Sequence, residues 1–172
     1  MTSTNPLKTI RDRIWYDLID AKFGDDYLTL YLVRQRNIRR WFKIFTIIFS
    51  AGGIFSAFAS AKIPTIISLI AIGTVQVLQS IENFIIHSEN DLDELRKLRM
   101  LYYARSIKLE KLWDSFNRDK IDEDEATNQF FALRELAGEI EELDSRLYIR
   151  SYNGLNKKAN IKTTDYLNRY FL

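Results

Sequence analysis

The chain has 172 residues, with 25 Lys and Arg against 23 Asp and Glu, for a net charge of +2. That length sets a prior of about one domain. The absence of cysteine excludes disulfides and thiolate metal sites, and is compatible with a bulk in the cytosol. The charge is unevenly spread: residues 1–43 carry nine bases and five acids, residues 119–144 ten acids and two bases, and residues 145–172 six bases and one acid.

Leu7, Ile10, Ile14, Leu18 and Ile19 recur at helical spacing, with Arg11, Asp12, Asp17 and Asp20 mostly on other faces. This predicts a short amphipathic helix ended near Gly24. A second helix is expected after Asp25-Asp26, either of which could cap it. It should run through Tyr31 and the arginines without a Gly or Pro before Gly52.

Two apolar runs follow. Ile44–Ala61 is 18 residues without a charge, and Ile63–Ile81 is 19, with Lys62 alone between them. A bilayer core needs ~20 mostly apolar residues. Each run reaches that span once Trp41 and Phe42, or the stems of Lys43 and Lys62, are counted. The expectation is a transmembrane helical hairpin turning at Lys62-Ile63-Pro64. The alternative is a buried hairpin inside a soluble helical bundle. Arg34, Arg36, Arg39, Arg40 and Lys43 precede the first run, so the positive-inside rule puts both termini in the cytoplasm, with Lys62 outside. Insertion is expected to rest on the hairpin itself rather than on a cleaved leader.

Beyond the hairpin, Leu95, Leu98, Tyr102, Leu109, Leu112 and Phe116 keep a three–four alternation, with Arg105 at one seam position. After a turn at Asn117–Lys120, Asp122 or its acidic neighbours should open another helix. The seam of that helix is Ala126, Phe130, Leu133, Ala137, Ile140 and Leu147, with Asp144 where an apolar residue would be expected. Such spacing predicts an antiparallel, coiled-coil-like hairpin. Asn153-Gly154 should end it. A polar tail then leads to a last short helix, Tyr166–Leu172, capped by Thr163-Thr164-Asp165. Nothing reads as a strand. The expected fold is all-α: N-terminal cytoplasmic helices over 1–43, the membrane hairpin over 44–81, and a cytoplasmic helical hairpin with a basic tail over 82–172.

Catalysis has little support. His87 is the only histidine, and no phosphate loop, nucleophile elbow or metal-ligand spacing is present. The run Asp122–Glu125 lacks the glycine and alternating ligands of a calcium loop. No enzyme and no cofactor are expected.

Three patterns bear on other functions. Gly52, Ser56, Ser60 and Gly53, Ala57, Ala61 form two rows of small residues, suited to close packing either within the hairpin or between subunits. Ser68, Gln76, Gln79 and Asn83 give the second run a polar stripe, which reads either as inter-helix glue or as a pore lining. Both uses favour a homo-oligomer, for which a tetramer is the first expectation. Arg146, Arg150, Lys157, Lys158, Lys162 and Arg169 are interleaved with Tyr148, Tyr152, Tyr166 and Tyr170. Cations with aromatics suit a nucleotide or oligonucleotide. Pairing with the acidic 119–144 stretch, or contact with anionic lipid, explains the same residues.

Taken whole, the pattern resembles the SLATT family of bacterial two-span effectors in anti-phage defence. The shared features are an amphipathic helix, a basic helix, a tight two-span hairpin, a cytoplasmic helical hairpin and a terminal TTDYLNRYF segment. The Hailong-type effectors are the nearest in architecture. The resemblance rests on hydropathy and element order, and no site is carried over by position. It implies an oligomeric ion-conducting channel of the bacterial inner membrane, gated by a nucleotide or oligonucleotide made by a partner nucleotidyltransferase. The alternative is a membrane-anchored helical scaffold without a pore.

Overall fold

The computed structural model describes residues 9–57, 73–77, 80, 87–135 and 137–171, and for 49–57 the backbone alone. Five helices account for most of them: α1 Ile10–Ala57, α2 Glu89–Asn117, α3 Glu123–Glu135, α4 Ala137–Arg146 and α5 Asn153–Tyr170. The described residues contain no strand, so the all-α expectation holds. The chain divides into two units, one of Met1–Tyr31 with Asp93–Leu172 and one of Leu32–Leu92.

Local chemistry sets the helix starts. Thr9 and Asp12 exchange side-chain-to-backbone hydrogen bonds, both 3.3 Å, at the start of α1. Ser88 and Asp91 do the same at 3.1 Å at the start of α2. Both are reciprocal caps of helix-opening amides. Asp122 accepts the Glu125 N–H at 2.8 Å to open α3, as its position predicts. At the end of α2, Asp119 takes φ 52°. The Lys120 N–H reaches the Ser115 carbonyl at 2.9 Å, and the Asp119 N–H reaches Phe116 at 3.2 Å. This is a Schellman closure with aspartate in the place usually held by glycine.

In the first unit, α2 runs antiparallel to α1: Trp15 meets Trp113 at 4.9 Å, Asp17 meets Arg105 at 2.8 Å, and Asp25 meets Arg99 at 3.5 Å. α3 and α4 return along α2, with Lys97–Glu139 at 2.7 Å and Glu94–Arg146 at 2.8 Å at one end. At the other end Leu109 and Leu112 share a buried cluster with Ala126, Phe130, Ile10, Ile14, Leu18 and Ala21. Most of the predicted seam is buried, with Tyr102, Phe116 and Leu133 only partly so, and Leu143 is buried where Asp144, which is exposed, had been assigned the seam position.

Two sequence expectations are corrected. α1 neither stops at Gly24 nor restarts after Asp25-Asp26. Glycine costs a helix roughly 1 kcal/mol, but here it is a notch. A Cβ at Gly24 would lie 2.5 Å from the Tyr102 ring, so glycine is what lets α2 approach. Asp25 and Asp26 are buried ion-pair partners rather than caps. Likewise Asn153-Gly154 lie inside the first turn of α5 instead of ending a helix, and α5 covers the supposed polar tail. Its buried row is Ala159, Thr163 and Leu167, at four-residue spacing. The Tyr27 hydroxyl fixes its entry, donating to the Arg150 carbonyl at 2.9 Å and accepting the Tyr152 N–H at 3.3 Å.

Among the described residues, no helix is long and apolar enough to cross a membrane. α1 is described only as far as Ala57, four residues short of the end of the first apolar run. The second run is described only at 73–77 and 80, which are helical.

Candidate functional site

The basic tail becomes a site through α5. Lys158, Lys162 and Arg169, at helical spacings of four and seven, line a groove of about 440 Å³ with Asp165, Tyr166 and Tyr170. The opposite wall is α1, contributing Lys22 and Asp26. The groove thus holds four cations and two acids.

Its floor is an ion-pair node. Asp26 is wholly buried and is bound by Lys162 at 2.6 Å and Lys22 at 3.5 Å, and it accepts the Thr163 hydroxyl at 3.1 Å. Lys22 also reaches Asp25 at 3.3 Å and lies 4.8 Å above the Tyr166 ring. A buried carboxylate needs such partners, because desolvation of an unpaired charge costs several kcal/mol. Lys158 and Arg169, by contrast, make no ion pair among the described residues and remain exposed.

Tyr166 and Tyr170 stand with their rings 4.8 Å apart and 47° between planes. The Tyr166 hydroxyl donates to Glu110 at 2.9 Å. Burial, and then that carboxylate, push its ionisation up to about 12. It is a neutral donor at physiological pH. Behind the two tyrosines a second recess is walled by Trp113, Phe171, Glu110 and Arg118.

The structure therefore gathers Lys158, Lys162 and Arg169 and leaves the other predicted cations elsewhere. Arg146 is committed to Glu94, Arg150 gives its carbonyl to Tyr27, and Lys157 lies exposed on α5 outside the groove lining. Pairing of the tail with the 119–144 acids is not found among the described residues; its partners are Asp26 on α1 and Glu94 on α2. Lys22 was missed by sequence reasoning. Its signal was Asp25, an acid on the row Ile14, Leu18, Ala21, Leu28 that is otherwise apolar.

Of the polar stripe, Gln76 is exposed and its carbonyl accepts the Ser80 hydroxyl at 2.8 Å. Ser68, Gln79 and Asn83 lie outside the described residues. Gly52, Gly53, Ser56 and Ala57 belong to α1, and Ser60 lies outside the described residues. His87 sits 3.8 Å from Asp91, and among the described residues no group of side chains is placed to hold a metal. Compared with known proteins, the chain matches no family model, no curated protein and no solved structure.

Proposed function

We propose that the chain is a membrane effector: residues 44–81 form a two-span hairpin that assembles, as a tetramer, into an ion-conducting channel. On this proposal the α1–α5 groove holds a nucleotide or oligonucleotide signal, supplied by a nucleotidyltransferase in an anti-phage setting, and both termini are cytoplasmic. The observation that carries it is the course of α1. That helix runs unbroken from Ile10 through the arginine cluster into the first apolar run, as far as Ala57. Trp41, Phe45, Ile47 and Ile48 are there 60, 50, 67 and 59 % exposed. Complete burial of an Ile or Phe side chain is worth about 1.5–3 kcal/mol, much of which is unrealised here, and a contiguous exposed apolar stretch marks a surface that something covers. Lipid is the cover that fits an apolar run of membrane-spanning length behind a basic flank.

A polyanion is the ligand that matches Lys158 and Arg169, two unpaired cations beside an aromatic pair. Gating requires the signal to bind open and shut states with different affinity. The test is ion flux across liposomes containing the full chain, with and without nucleotides and short oligonucleotides. Flux that changes with ligand supports the channel. Tight membranes under every condition leave only the anchored scaffold, and the channel fails.

A further inference from the structure

The cations ahead of the first apolar run are not used alike. Arg39 is ion-paired with Glu89. Arg36, Arg40 and Lys43 are exposed and make no ion pair or hydrogen bond among the described residues. At ~100° per residue, positions 36, 40 and 43 fall within about 60° of one another, and position 47 continues the same row. The row therefore reads cation, cation, cation, then Ile47, which is 67 % exposed, with exposed Ile44 ~60° to one side of it. Topology needs positive charge near a span. It does not need three unpaired cations aligned above an open apolar row while a fourth is neutralised.

We propose that this row is a binding site for an anionic phospholipid of the leaflet nearest the basic flank. The phosphate would lie among Arg36, Arg40 and Lys43, and an acyl chain along Ile44 and Ile47. This site presupposes the membrane hairpin proposed above. It matches a lipid rather than a soluble phosphate because charge and exposed apolar surface are consecutive on one helix face. Arg forks bind phosphate oxygens bidentately, and the Lys43 ammonium adds a further hydrogen-bond donor to the same headgroup. Each cation near an anionic surface is worth about fivefold in partitioning, so three correspond to roughly a hundredfold.

The test uses the full chain in neutral detergent and in vesicles. Phosphatidylglycerol should raise the thermal unfolding midpoint several degrees more than phosphatidylcholine, and the difference should shrink at high salt. Glycerol phosphate alone should not reproduce it. R36Q/R40Q/K43Q should abolish the difference, whereas R39Q should keep it. The charge-conserving exchange R36N/N37R, which turns one cation ~100° off the row, should reduce it without altering the topological charge. Equal shifts with both lipids, or a triple variant that keeps the phosphatidylglycerol preference, overturn the site and leave the membrane hairpin standing. Failure to float with vesicles of either composition overturns the hairpin, and the site with it.

Discussion

The Asp26 carboxylate, wholly buried on α1, is bound at 2.6 Å by Lys162, whose side chain is 55 % exposed on α5. The two ends of this pair are unequal. Without Lys162 the carboxylate still has Lys22 and the Thr163 hydroxyl; without Asp26, the Thr163 hydroxyl loses its buried partner and Lys22 keeps only Asp25 of its two carboxylates. Asp26→Ala should cost about 2–3 kcal/mol and Lys162→Met about 1–2 kcal/mol. Thermal unfolding of the full chain reads the order, and hydrogen exchange of α5 amides should accelerate in both. Equal or reversed costs would contradict Asp26 as the anchor of α5.

Gly24 and Tyr102 make a second prediction. An alanine methyl would start 2.5 Å from ring carbons that cannot swing aside as a side-chain tip does. Overpacking costs about 1–3 kcal/mol, against roughly 1 kcal/mol gained in helix propensity. Gly24→Ala should therefore destabilise on balance, and adding Tyr102→Leu should recover part of the loss. A stabilised single variant would mean that the α1–α2 approach is looser than described.

Alkaline pH probes Tyr166. Its hydroxyl ionises at about 12 in the folded chain, first because of burial and then because of Glu110, against 10 for a free tyrosine. Below pH 10 both states hold the proton. As pH rises from 10 towards 12 the unfolded state releases it and the folded state does not, so stability falls through that window. Burial, with Asp144 second, raises Tyr102 as well. The unfolding midpoint should decline above pH 10, and Tyr166→Phe should flatten the decline. An identical slope in the variant would remove Tyr166 as its source.

The seam residues Leu95, Leu98, Leu109, Leu112, Ala126, Phe130, Ala137 and Ile140 were legible because apolar periodicity survives in sequence and all are buried. The turn at Asp119 and the cap at Asp122 were legible for a different reason, that polar side chains which close or open a helix act within one turn of their own position. The length of α5 was not, because its buried row is Ala159, Thr163 and Leu167, where an alanine and a threonine hydroxyl replace the bulky stripe. Gly24 misled because a stop signal and a packing notch are the same residue; only Tyr102, 78 positions away, separates them. The candidate groove was half legible. Its α5 cations stood out, but Lys22 became part of it through a pairing of α1 with α5 that no local pattern encodes.

The groove separates the six tail cations by role. Binding of tripolyphosphate or a short oligonucleotide should weaken several-fold in Lys158→Ala/Arg169→Ala, with a shallower salt dependence, because each lost phosphate contact lowers the slope by about one. Arg146→Ala, which only frees Glu94, should leave binding unchanged. Equal losses in both variants would mean diffuse charge rather than a site.

Lipid as the solvent of residues 44–81 is tested most directly by alkaline extraction of membranes holding the full chain. The protein should stay in the pellet at high pH, as a hairpin held by two apolar spans must. Release into the supernatant, with the chain remaining dispersed in detergent-free buffer, would contradict it.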